Sequence, residues 1–180
     1  MARIQLAILC VAASTFWAFG LTGCGTESSP EPGRYYDQGK GFSIRFPVGW
    51  SIQEENEGAT IAALCPEEDA DDMFFECVSV TVEDLPYRMS LNEFFDGNRK
   101  SINTYFSDVV VKETGTATID NAPAKWISYT YEMQEGSVQA LEYCLLEARR
   151  GYYITCDSEP HKFAAYRDTL EESAQSFRFE

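Results

Sequence analysis

The stretch Gly41-Phe42-Ser43-Ile44-Arg45-Phe46-Pro47-Val48-Gly49-Trp50-Ser51-Ile52 decides how the chain is read. Phe42, Ile44 and Phe46 alternate with Ser43 and Arg45, the period of two expected of a half-buried strand, in which successive side chains point to opposite faces. Pro47-Val48-Gly49 then turns the chain, and Trp50 and Ile52 begin a second run. The stretch predicts the opening hairpin of a small domain, preceded by an export signal and tether and followed by one sheet with two helices.

Composition sets the outer bounds. The chain has 180 residues and is 44% hydrophobic, enough for one ordinary core once the N-terminus is set aside. Twenty-nine acidic against fourteen basic residues give a formal charge of -15, which repels nucleic acid phosphates and anionic headgroups. Nucleic acid binding and charge-driven membrane binding are therefore excluded. Any membrane attachment must come from elsewhere.

The N-terminus supplies it. Met1 to Gly20 carries Arg3 as its only charge, followed by an apolar run from Ile4 through Phe19, the form of a secretory signal. Leu21-Thr22-Gly23-Cys24 resembles a bacterial lipobox, which implies cleavage before Cys24 and acylation of its sulfur. Several acyl chains hold a protein far more firmly than one does. Gly25, not an aspartate, follows, so in a host with two membranes the resemblance implies sorting to the outer membrane or its periplasmic face. An uncleaved anchor and ordinary secretion with an unmodified Cys24 are the alternatives. Gly25 to Arg34 is small, polar and proline-containing, a flexible linker. The expected division is 1–23 signal peptide, 24–38 acylated cysteine and linker, and 39–180 folded domain.

An aromatic-Asp pair (Tyr36-Asp37), the Gly-Phe-Ser-Ile strand, Phe-Pro-x-Gly-Trp and the closing Ser176-Phe177-Arg178-Phe179 together resemble the PsbP-like superfamily, named for an extrinsic subunit of photosystem II. The resemblance implies an α+β fold, an α/β/α sandwich with a central antiparallel sheet flanked by helices. It also implies a small bacterial lipoprotein of a kind with no assigned activity.

The remaining elements follow from local signals. Ala59 to Cys65 and Phe74 to Val82 read as strands around the acidic run Glu67-Glu68-Asp69-Ala70-Asp71-Asp72. That run lacks the glycine and distal glutamate of an EF-hand and reads as a solvated tip, with weak cation binding the alternative. Ser90-Leu91-Asn92-Glu93 is a capping box, and Leu91, Phe94, Phe95, Ile102, Tyr105 and Phe106 continue as an apolar helical stripe. Val109 to Thr118 and Lys125 to Tyr131 read as strands joined at Ile119–Pro123. Glu159-Pro160 opens a last helix carrying Phe163, Tyr166, Leu170, Ala174 and Phe177.

Gln139 to Asp157 reads as a hairpin. A three-residue loop at Arg149-Arg150-Gly151 sets Cys144 opposite Cys156; a two-residue loop shifts that register. Cys65 and Cys77 bracket the acidic tip at the same spacing. These four cysteines allow three pairings, of which locality and an oxidising compartment favour Cys65 with Cys77 and Cys144 with Cys156.

The sequence holds no Cys-x-x-Cys, G-x-S-x-G, P-loop or H-E-x-x-H, and its single histidine, His161, lies in the first turn of a predicted helix. The expectation is a non-catalytic binding or assembly module with no catalytic residue, metal site or cofactor. It is anchored in the membrane through Cys24 and contacts another envelope protein by a sheet edge, an acidic loop or a patch of Tyr35, Tyr36 and Tyr87. The alternative is a carboxylate-based enzyme or weak divalent-metal binder, which requires a cleft that pushes paired carboxylate pKa values apart.

Overall fold

The computed structural model describes residues 31–54, 58–67, 74–134 and 136–180. Among these described residues, ten strands and two helices run in the order β1 (Arg34–Asp37), β2 (Phe42–Arg45), β3 (Ser51–Glu54), β4 (Ile61–Leu64), β5 (Cys77–Asp84), α1 (Leu91–Tyr105), β6 (Ser107–Ile119), β7 (Ala122–Glu132), β8 (Ser137–Glu147), β9 (Arg150–Ser158), α2 (Phe163–Gln175) and β10 (Arg178–Phe179). They form a seven-stranded sheet, β3-β4-β5-β9-β8-β7-β6, and a three-stranded sheet, β1-β2-β10. All the pairings are antiparallel.

The expected opening hairpin is not formed. β2 is a strand, but it pairs with β1 on one side and β10 on the other, whereas β3 pairs with β4 in the larger sheet. The Pro47–Gly49 turn thus carries the chain from one sheet to the next. Both edges of β2 are already occupied, and Pro47 has no N–H to give a ladder. Arg34–Asp37, assigned to the linker from sequence, is strand β1; the turn after it closes with a 2.7 Å bond from Gly41 N–H to the Asp37 carbonyl.

The larger sheet has two apolar faces. One, with Leu141, Tyr143, Ile154 and Cys156, is covered by α2 and the small sheet through Phe42, Ile44, Leu170 and Phe177. The other, with Tyr129, Ala140, Cys144 and Tyr153, is covered by Phe94, Phe95 and Ile102 of α1. The architecture is α+β and dominated by its sheets. It departs from one sheet between two helix layers because α2 shares its face with a second sheet.

The capping box at α1 is formed. Glu93 N–H donates to Ser90 Oγ at 3.2 Å, and Ser90 N–H donates to Glu93 Oε2 at 2.8 Å. The Ser90 N–H and the Ser90 hydroxyl, which also donates to Oε2 at 2.8 Å, favour the ionised carboxylate and hold the Glu93 pKa below its usual value. Asp120 and Asn121, both with positive φ, make the two-residue turn between β6 and β7.

Hairpin β8–β9 turns through two residues, Ala148-Arg149, with Glu147 opposite Arg150. The expected three-residue loop is therefore replaced by a tighter one. Gly151 is not a turn residue: it lies in the ladder opposite Leu146, and a Cβ there would stand 2.3 Å from Phe94 Cζ. The absence of a side chain admits the α1 ring against the sheet.

This register does not bring the expected disulfide partners together. Cys144 stands opposite Tyr153 and Cys156 opposite Leu141, so the two side chains project from opposite faces of the sheet. Cys65 aligns with Glu76 and Cys77 with Leu64, which separates that pair in the same way. Cys65 Sγ lies 3.5 Å from Tyr166 Oη on the α2 side, while the Cys77 thiol points to Asp157 Oδ2 at 3.7 Å on the α1 side. None of the four sulfurs is in a disulfide. Cys24 and residues 68–72 of the acidic run lie outside the described residues.

Candidate functional site

Two of the places where the described residues gather polar side chains differ in what they can admit. The first lies between α1 and the large sheet. Ala140 pairs with Asp157 and Glu142 with Thr155, so the period of two sets both carboxylates on the α1 face. Both are buried. Asn98 Nδ2, from α1, donates to Glu142 Oε1, and Thr155 Oγ1 donates to Oε2 at 3.1 Å. Asp157 Oδ1 has no hydrogen-bond partner among the described residues.

Burial raises the Glu142 pKa, and burial together with the Glu142 charge pushes Asp157 up to about 7. Beside them is a cavity of about 40 Å³, lined also by Ser79, Tyr129 and Tyr131. That is room for water but not for an organic ligand, whose pockets typically run to about 300 Å³ or more. The carboxylate pair exists, with shifted pKa values, but this cavity gives a substrate no space to reach it. Among the described residues no group of three or more His, Cys, Asp or Glu is placed to hold a metal ion.

The second place is open. Arg34 of β1 stands directly opposite Arg45 of β2, and Arg178 of β10 stands opposite Ser43. Since Ser43 and Arg45 share a face of β2, all three arginines lie on one side of the small sheet, turned away from Phe42 and Ile44. This is the polar half of the alternation in the opening stretch. It forms one wall of a cleft of about 730 Å³, with Phe46, Val48 and Trp50 on the β2–β3 connection and the C-terminal turns of α2 as the other walls. Val48 is fully exposed, and Trp50 is braced edge-on against Tyr166 of α2 at 6.3 Å.

Arg34 is buried and heavily bonded. It donates from Nη1 to Ser43 Oγ at 3.1 Å and to the Ser176 carbonyl at 2.8 Å, and from Nε to Glu31 at 2.9 Å. Burial, then the neighbouring Arg178 guanidinium, lowers its pKa. Arg45 and Arg178 are 47% and 53% exposed at the side chain and also pair with Glu31, Arg178 at 3.7 Å. One carboxylate thus meets three guanidinium groups.

The other surfaces named from sequence are less suited. Tyr35 packs against Phe42 and Phe46, while Tyr36 and Tyr87 are exposed. Edge strand β6 exposes Val110 and Val111, but register shifts on both sides of them, with Lys112 between Val111 and Glu113, disrupt it as a template for another strand. His161 is exposed. The arginine cluster was missed because its members are distant in sequence; the only signal was the solvent half of the β2 alternation.

A family profile described as PsbP-like protein matches residues 25–179, nearly the whole chain beyond the expected signal. The chain belongs to the PsbP-like protein family. The fold of this PsbP-like chain is also found in the solution structure of cyanobacterial PsbP from Synechocystis, at 14% identity and TM-score 0.60, covering 89% of this chain and 99% of that one. LpqN of Mycobacterium tuberculosis, involved in cell envelope biogenesis, is similar at 10% identity and TM-score 0.59, covering 83% and 86%. The Ran-binding protein Mog1p of Saccharomyces cerevisiae is similar at 10% identity and TM-score 0.54, covering 81% and 94%. At these identities the likeness is one of fold. No curated protein matches the sequence.

Proposed function

We propose that the chain is a non-catalytic binding or assembly module of the cell envelope, exported by its signal peptide, tethered by acyl chains on Cys24, and docked on another envelope protein through the cleft between α2 and the small sheet. The observation that carries this reading is the contrast between the two polar places. The cleft is large, open and lined by arginine and aromatic side chains, residue types enriched at protein interfaces. The carboxylate pair that could serve acid-base chemistry sits beside a cavity of water size. Membership of the PsbP-like family and the fold shared with LpqN and Mog1p, described by a biogenesis role and by a partner, support a module of this kind. Among the described residues β1 is the first strand of the domain.

The test is affinity purification of the native lipidated protein beside a Cys24→Ala control. One envelope protein should be recovered in stoichiometric amount with the lipidated bait, and acyl label should be lost with Cys24. Turnover of a small molecule with no specific partner would overturn the reading.

A further inference from the structure

The register of the small sheet poses an electrostatic problem that its own chain answers in an informative way. Arg34 and Arg45 are a directly opposed cross-strand pair of like charge, an arrangement that destabilises a sheet. Arg178, one strand further on, adds a third positive charge to the same face. A negative group between them relieves the repulsion, and a planar guanidinium is shaped to take a carboxylate by two parallel hydrogen bonds. In the structure that group is Glu31, which pairs with all three.

Glu31 does not belong to the sheet. It lies in the tether, three residues before β1, where its carbonyl accepts from Arg34 N–H at 3.0 Å and its own N–H donates to Tyr36 Oη at 3.2 Å. Its carboxylate is about one-third exposed, and the Arg45 and Arg178 side chains it meets are half exposed at the cleft. Such exposed pairs exchange readily because each is weak in water. Arg34 is different: buried, and positioned by Ser43 and the Ser176 carbonyl, it is fixed in place whatever its anion does.

We propose, building on the cleft reading above, that the arginine face recognises an acidic segment of a partner protein, whose carboxylate takes the position between Arg34, Arg45 and Arg178, and that Glu31 fills that position while the partner is absent. Partner binding then releases the tether at Glu31. Phe46, Val48 and Trp50 offer apolar contact to residues flanking the acidic group. The net charge of -15 disfavours acidic peptides over the surface as a whole, and Glu172 on the α2 wall adds one carboxylate to the cleft, so the arginine variants are what assign any binding to this face.

The experiment uses the lipidated full chain in neutral detergent at low salt, titrated with hexaglutamate, hexaglutamine or inorganic phosphate and followed by calorimetry. Hexaglutamate should bind and hexaglutamine should not. Glu31→Gln should tighten hexaglutamate roughly fivefold, the scale of an exposed ion pair, and an Arg45→Gln/Arg178→Gln double variant should weaken it by about tenfold. Because Glu31→Gln leaves the arginines opposed, its thermal midpoint should rise more on adding hexaglutamate than that of the unaltered chain.

Equal affinity of all three proteins for hexaglutamate, or no binding by any, would overturn the proposal. So would phosphate binding as tightly with the same variant dependence, which would make the cleft a site for free oxyanions. An envelope partner recovered equally with the Arg45→Gln/Arg178→Gln bait would also defeat this proposal while leaving the binding module intact.

Discussion

Asp157→Asn isolates the buried carboxylate pair. Asp157 is raised from 3.8 to about 7 by burial first and by the Glu142 charge second. Because the folded state holds this proton more tightly than the unfolded chain, the sign is opposite to that of a salt-bridged aspartate. The contribution is fully present below about pH 4, falls as pH rises, and is lost above about pH 7. A separation of about 3 units corresponds to about 4 kcal/mol.

The substituted amide carries no charge and keeps the shape, so the variant should lack this loss. Wild type and variant should be closest near pH 4.5, with the variant more stable at pH 8 by up to about 4 kcal/mol. For a domain of this size that is a thermal midpoint difference of about 10 °C. The assay is thermal unfolding followed by circular dichroism at pH 4.5, 6 and 8. The exposed carboxylates are the same in both proteins and cancel in the difference. The titratable groups lining or contacting this pocket besides Asp157 include Glu142 of β8, Cys77 of β5, Tyr105 of α1 and Tyr129 and Tyr131 of β7. Of these only Glu142 is a carboxylate, and removing Asp157 also relieves it. Parallel pH profiles for the two proteins would refute the buried-carboxylate reasoning.

Gly151→Ala should cost about 2 kcal/mol by overpacking, with part recovered by Phe94→Leu, because the new methyl meets the Phe94 ring; a chemical-denaturation midpoint reads this directly. Phe177→Ala should cost about 3 to 5 kcal/mol by emptying a ring stacked on Phe42 at 5.7 Å and set edge-on to Tyr152 at 5.3 Å, measured the same way. Cys144 and Cys156 should resist alkylation in the folded protein and react after unfolding, because both thiols are buried and their pKa values are raised by burial; non-reducing mass spectrometry showing them joined would contradict the β8–β9 register. Ser90→Ala should cost about 1 kcal/mol by removing the α1 cap, also read from the denaturation midpoint.

What could be read from the chain alone was what short spans of residues dictate. The capping box at Ser90 needs only Glu93, and the alternation Phe42-Ser43-Ile44-Arg45 needs only the pleat of one strand. Family membership was visible for the same reason, since Phe-Pro-x-Gly-Trp and the closing Ser-Phe-Arg-Phe are local strings. Strand partners were not: β2 chose β1 and the C-terminal β10 over its neighbour β3, because backbone hydrogen bonding is blind to side chains and packing on Phe177 and Tyr152 decided the match. The β8–β9 register goes with the two-residue Ala148-Arg149 turn, which leaves Gly151 in the ladder under the Phe94 ring of α1 and sets Cys144 and Cys156 on opposite faces. Arg34, Arg45 and Arg178 became one site only when three strands from the two ends of the domain aligned, since like charges are brought together by folding the apolar face beneath them and not by anything the arginines themselves favour.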